Sequence, residues 1–342
     1  MNIKFLETML ETCSVSGHEE ELQRKVIDYM KDDFDILSDA TGNVISVLNK
    51  ESDVKVLLCG HIDEIGFLVK SIDASGMIHV INAGGVRAGQ YLGTHVQIKT
   101  ASGMIHGVVV TNGGLLKNKD LSCEDLIIDI GATSKEEASM VAVGDPICAS
   151  TTYKYLLGDK MAARAMDDRI GAFIVLEALK KAKERGCRIG AYAATTVGEE
   201  TTMRGAYWAS QKVKPTCAIA VDVTFTNDYP GAYSSGDVSL GKGAVLCHSS
   251  IVNKKLNNVL KQCAEKLNLN LQYEIAAGRT GTDADNIHFT NDGVPVALVS
   301  IPLRYMHSSI ETLSLKDVQE IIDLLAEFLC TFNETIELNA IE

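Results

Sequence analysis

The chain has 342 residues, 46% of them hydrophobic, enough for one large domain or two with an ample core and too many for a disordered tail. Lysine and arginine number 32 against 45 aspartates and glutamates, a formal charge of −13 with no basic cluster, which argues against a nucleic-acid groove or an anionic membrane surface as the main partner. Nine cysteines, an odd number with no C-x-x-C pair, read as buried free thiols of a reducing compartment rather than a disulfide frame.

The first stretch, "MNIKFLETMLETC", places glutamates where a signal peptide needs an unbroken apolar core. No apolar run reaches the roughly 18 residues that span a bilayer, so a cytoplasmic protein is expected. "SGHE" at 16–19 has the form of a capping box, Ser16 with Glu19 three residues on, ahead of Leu22, Val26, Ile27 and Met30 at helical spacing. The strands "NVISVL" and "VKVLLCG" follow, the second apolar enough to be central.

From residue 66 the texture changes to short apolar runs separated by Gly, Ser, Asp and Asn, with no helix predicted before "SKEEASM" at 134–140. This reads as a small β-rich, barrel-like domain, residues 66–162, inserted between two halves of another domain, 1–65 and 163–342. Beyond it, helices are predicted at "DDRIGAFIVLEALKKAKERG", "RGAYWASQKV", "IVNKKLNNVLKQCAEKLNL" and "LKDVQEIIDLLAEFLCTF". The first of these helices is expected to bury Ile170, Phe173, Ile174 and Leu179 along one side. Strands alternate with the helices at "IGAYAATTV", "CAIAVDV" and "VPVALVSIP". The pattern predicts an α/β three-layer sandwich with a mostly parallel central sheet.

In open α/β sheets, ligands gather at the carboxyl ends of the strands. His61 and Asp63 follow "VLLCG", Glu199 and Glu200 follow "AATTVG", Asp222 follows "AIAV", and His307 follows "VALVSIPLRYM". Asp167 stands just before a predicted helix, where its carboxylate would also meet the positive end. Each residue alone has a plainer reading: a core histidine, a turn aspartate, a helix cap. Glutamate runs at Glu19-Glu20-Glu21 and Glu136-Glu137 lie in charged, helix-like stretches and read as solvated faces. The pair at 199 differs, with an apolar strand before it and no lysine nearby. Two histidines and several carboxylates without a thiolate suit Zn²⁺, Co²⁺ or Mn²⁺. Five ligands with one shared carboxylate are what a two-metal hydrolase needs, and one acid is left over as a base.

At these residues the chain resembles a known family. "GHIDEIGF" (60–67), "AMDDRIG" (165–171), "GEETTMRGA" (198–206), "VDVT" (221–224), "GTDA" (281–284) and "PLRYMHSSIE" (302–311) are similar, in order, to motifs of the tetrahedral and glutamyl aminopeptidases. The likeness covers almost the whole chain. It implies an aminopeptidase with two divalent ions per subunit and a β-rich insertion used for dimer contacts. It further implies peptide substrates and a homo-oligomer that can extend to a tetrahedral dodecamer. It assigns His61 and Asp222 to one ion, Glu200 and His307 to the other, and Asp167 to both. Glu199 is implied to be the general base, with Asp63 orienting His61.

The chain departs from the family at Gly198, usually Gln, and at Thr201-Thr202, usually Val-Gly. Arg279 interrupts a usual glycine run and reads either as a contact for an acidic substrate side chain or as a surface arginine. Alternatives to the peptidase are a deacylase or glycan hydrolase on the same scaffold, or a non-catalytic binding assembly.

Overall fold

The computed structural model describes residues 1–150, 152–232 and 236–341. Eight strands form one sheet in the order Asp35–Ser38, Val44–Leu48, Gly190–Thr196, Lys55–His61, Cys217–Phe225, Val296–Leu303, Ala244–Ser249, Leu271–Ala276. The four middle strands run parallel. Antiparallel neighbours at Val44–Leu48 and Ala244–Ser249 flank them, so the sheet is mixed toward its edges.

Side chains alternate across each strand and so supply two cores. Val56, Leu58, Ile219 and Val299 pack among Phe5, Phe173, Leu260 and Phe328, which come from helices Ile3–Glu11, Met166–Glu184, Lys254–Leu267 and Leu315–Thr331. Leu57, Cys59, Ala220 and Leu298 face the other way, toward Ala206 and Ala209 of helix Arg204–Val213 and Ile287 of the short helix Ala284–Ile287. Helices on both faces of a sheet make the three expected layers. They also explain why the middle strands read as mostly apolar runs. Helix Met166–Glu184 was expected to bury one side. Instead every residue from Met166 to Leu179 is buried, because the helix lies between the sheet and helices Ile3–Glu11 and Leu315–Thr331.

The inserted segment closes into a barrel of six strands: Gly66–Ile72, Ile78–Ala83, Ile127–Asp129, Gly103–Val109, His95–Thr100 and Pro146–Ala149. All its pairings are antiparallel, around a core that includes Phe67, Val80, Ile98, Ile128 and Ile147. The chain then returns through Lys160–Ala163, which pairs with Glu311–Ser314 outside the barrel and delivers Asp167 to the sheet's carboxyl edge.

Three expectations of local structure are corrected. Residues 134–140 form turns rather than a helix: the segment is too short to propagate, and of its residues only Ala138 is buried. The capping box does not form. The helix starts at Glu20, Ser16 Oγ meets Thr201 Oγ1 at 3.0 Å, and Glu19 Oε1 accepts the amides of Gly17 at 2.8 Å and Gly198 at 3.1 Å. Glu19 is therefore buried rather than solvated, and burial pushes its pKa up to about 7. The strands Ala244–Ser249 and Leu271–Ala276 are additional to the predicted elements. Ala244–Ser249 pairs with Val296–Leu303 and Leu271–Ala276 pairs with Ala244–Ser249, so the two extend the sheet to that edge.

Candidate metal centre

His61 is the last residue of its strand and is completely enclosed. Its Nδ1 lies 3.2 Å from the Asp63 carbonyl and 3.4 Å from Asp63 Oδ1, while Nε2 points at Asp167 Oδ1, 3.2 Å away. Glu199 Oε2 stands 3.7 Å from the same Nε2. Asp63 also terminates the turn that carries the glutamate pair: Oδ1 accepts the Glu199 amide at 3.1 Å and Oδ2 the Glu200 amide at 3.2 Å.

Asp167 faces two ways. Its second oxygen, Oδ2, lies 3.2 Å from His307 Nε2, which is also 3.6 Å from Glu200 Oε2. His307 lies just past the strand Val296–Leu303, with φ at 62°. Its ring is seated on Gly85 of the barrel segment, where a Cβ would stand 2.7 Å from Nδ1. Asp222 lies inside its strand rather than after it. The candidate ligand atoms of Asp222, Asp168 and His61 fall within 4.8 Å of one another, as do those of His61, Asp167 and Glu200.

All seven residues singled out from the sequence therefore converge at the carboxyl ends of the parallel strands. Three neighbours were not singled out. Glu311 accepts the amides of Asp167 at 3.1 Å and His307 at 2.9 Å, and so sets the distance between those two. Asp168 accepts the His61 amide at 3.2 Å. Asp283 takes the hydroxyl of Thr196 at 2.5 Å. All three fall within the matching motifs, but none follows an apolar run.

The electrostatics are lopsided. Burial opposes charge on His61, yet Glu199, Asp167 and Asp63 hold its imidazole well above its ordinary value. Burial would raise Asp167 too, but His307 and His61 keep it below the usual carboxylate range. Burial first, with His61 opposing and Asp222 adding, pushes Glu199 up to about 10. Burial likewise lifts Glu200 and Asp222 well above normal. Among the described residues no lysine or arginine pairs with Asp167, Glu199, Glu200 or Asp222. Glu199 Oε1 and Glu200 Oε1 are buried without a hydrogen-bond partner. Unpaired buried carboxylate oxygens beside two imidazoles fit divalent cations, and the donor set suits Zn²⁺, Co²⁺ or Mn²⁺.

The model of the M42 glutamyl aminopeptidase family matches residues 42–324. The chain belongs to that family. It is accordingly a peptidase, a hydrolase from a family of metallopeptidases. It is 33% identical to the lysyl aminopeptidase of Pyrococcus furiosus over 94% of each chain. Its fold is similar to the TET aminopeptidase of a marine sediment thaumarchaeote, with a TM-score of 0.92, 32% identity and coverage of 98% of this chain and 97% of that one. It is also similar to the Pyrococcus horikoshii TET1 peptidase, which can assemble into a tetrahedron or a large octahedral shell. That match has a TM-score of 0.86 and 31% identity, and covers 96% of this chain and 99% of the other.

Where the chain departs from the family pattern, the space is filled locally. Gly198 has φ at 65°, and the Arg204 guanidinium lies where its Cβ would stand. Thr201 bonds Ser16, and the Thr202 hydroxyl donates to the Gly198 carbonyl at 3.2 Å. The turn thus keeps both glutamates in place despite its altered residues. Arg279 is a surface residue, its side chain 75% exposed and 3.9 Å from Asp285.

Proposed function

We propose that this chain is an aminopeptidase that removes N-terminal residues from peptides through a centre of two divalent ions, Zn²⁺ or Co²⁺ first and Mn²⁺ next. The observation that carries this reading is Asp167, whose two oxygens each lie 3.2 Å from a different imidazole Nε2. One carboxylate facing two histidines is how a shared ligand serves two sites. His61 and Asp222 would hold one ion, Glu200 and His307 the other, with Asp167 common to both. When bound, the ions supply activated water and polarise the scissile carbonyl.

Glu199 is the general base: it takes a proton from the attacking water and delivers it to the leaving amine. Its Oε1 is buried and unpartnered, leaving that oxygen free for the transfer. Beside cations its carboxyl ionises far more readily than the value of about 10 that burial produces without them. Asp63 acts as a positioning residue, holding the His61 ring on one side and the amides of both glutamates on the other.

The inserted domain, 66–162, serves as the dimer surface, and dimers assemble toward a tetrahedral dodecamer. Ile81, Met104, Met140 and Val143 are large apolar residues left exposed on that segment, which supports this reading. The chain works in the cytoplasm. All nine cysteines are free, only Cys330 is exposed, and among the described residues no helix is long and apolar enough to cross a membrane.

Metal analysis with a paired assay tests the proposal. Purified protein should carry about two ions per chain, lose activity to a chelator and regain it with Co²⁺ or Zn²⁺. A peptide with a free amine should be cleaved and its N-acetylated twin spared. Full activity in chelator, or equal cleavage of both peptides, rejects it. A monomer mass by light scattering removes the assembly claim alone.

A further inference from the structure

The cavity of about 520 Å³ lined by the proposed ligands Asp167, Glu200, Asp222 and His307 extends to residues of the neighbouring strands. Its continuation is lined by apolar atoms of Phe225, Cys247, Ile275 and Leu298 and by one further carboxylate, Glu274. Glu274 is the only buried residue of the edge strand Leu271–Ala276. In register it is paired with Cys247, which shares a core with Leu298 and Ala220, so Glu274 stands on the same face of the sheet as Asp222. Its side chain lies back across the sheet. Oε1 accepts the hydroxyl of Ser300 at 2.6 Å and Oε2 that of Thr224.

Thr224 is two residues beyond Asp222, and Ser300 is the register partner of Asp222. The Glu274 carboxylate thus spans the stretch from the level of Asp222 to that of Thr224, about 7 Å further along the strand at a rise of about 3.3 Å per residue. Among the described residues no lysine, arginine or histidine forms an ion pair with it. Two hydroxyls can orient a buried carboxylate, but they cannot neutralise it.

We propose that Glu274 determines specificity by receiving the cationic side chain of the substrate's N-terminal residue, so that peptides beginning with a long, positively charged residue are preferred. Lysine combines an aliphatic stem with a compact ammonium head, and the apolar lining would cover the stem while Glu274 meets the head. An acidic N-terminal side chain would bring a second negative charge to the same wall. Arg279, the obvious counter-charge for such a residue, does not line this cavity. Burial holds the Glu274 carboxyl above its ordinary value against the opposing Ser300 and Thr224 hydroxyls, and an adjacent ammonium would favour its ionised form.

This inference rests on the aminopeptidase reading, and the experiment separates the two. The metal-loaded full-length enzyme is given peptides that differ only in the first residue: lysine, norleucine, leucine or glutamate. Lysine should exceed its neutral isostere norleucine by about 10- to 100-fold in kcat/KM, the range for a hydrogen-bonded charge, with glutamate the poorest. In Glu274→Gln the lysine-to-norleucine ratio should collapse toward one, while Arg279→Ala keeps it. Independently of any variant, wild-type protein should bind L-lysinamide more tightly than L-norleucinamide by calorimetry. A ratio near one in the wild type, or a ratio unmoved in Glu274→Gln, overturns the assignment and leaves the peptidase standing. No cleavage of any free-amine peptide overturns both.

Discussion

Asp63 accepts the backbone amide of Glu199 at 3.1 Å, so the residue that orients the first histidine also places the proposed base. The side chain touches His61 with the same oxygen. A displacement of Asp63 therefore reaches the ring and the glutamate pair at once.

Asp63→Asn keeps the shape and removes the charge. Metal affinity and kcat/KM should each fall by about 10- to 100-fold, the usual cost of losing a ligand's orienting carboxylate. Competition with a fluorescent chelator and steady-state kinetics measure the two quantities. A variant with unaltered metal affinity contradicts the positioning role.

Glu199→Gln should retain both ions by mass spectrometry and lose roughly 10²- to 10⁴-fold in kcat, the contribution expected of a general base. Near wild-type turnover would sink the base assignment. Loss of metal instead would make Glu199 a ligand.

Metal uptake should expel protons. Burial, and after it the neighbouring Asp167, keep the Glu200 carboxyl well above its ordinary value in the metal-free protein. Burial keeps Asp222 high as well, with Asp167 adding to it against the pull of His61. Cations take only the ionised forms, so affinity should rise with pH. Calorimetry in buffers of different ionisation enthalpy counts the protons released. Affinity that is flat or falling between about pH 6 and 8 would contradict the sign.

Glu64 is fully buried and bonds the guanidinium groups of Arg164 and Arg169, the latter at 2.5 Å, and also accepts the amide of Ser14 at 2.9 Å. Burial opposes its charge, but Arg164 and Arg169 prevail and hold its pKa below normal. Removing the charge leaves two buried guanidinium groups uncompensated, so Glu64→Gln should lose about 3–5 kcal/mol in urea unfolding at neutral pH. A depressed carboxyl contributes fully above its unfolded value of about 4.3 and loses that contribution as pH falls through the folded value. The gap between wild type and variant should therefore be constant above about pH 5 and narrow below 4.3. A gap that widens in acid would reverse the assignment.

Much of this molecule is legible in local pattern. Mostly apolar runs at 56–60 and 296–303 announce strands covered on both faces, and glycine-punctuated short runs announce the barrel. Polar groups just past these and the run at 190–196 mark His61, Glu199, Glu200 and His307, because the carboxyl edge of a parallel sheet is where its chemistry collects. These are signals that a residue and its neighbours carry without reference to the rest of the chain.

Other features depend on which distant segments meet. Glu19 looks like a solvated helix start and is buried because Gly198 supplies an amide 179 residues away. Glu311 follows no apolar run, yet it sets the spacing of Asp167 and His307 from across the site. Gly85 belongs to the inserted segment, but its missing Cβ makes room for the His307 ring. Glu274 carries no signal in its own neighbourhood and gains its partners only when the sheet lays it over Ser300 and Thr224. Periodicity and strand ends can be read from adjacent residues because they follow from backbone geometry. Burial of a charge, and the identity of the group that answers it, are properties of contacts between remote segments, and only the folded chain creates those.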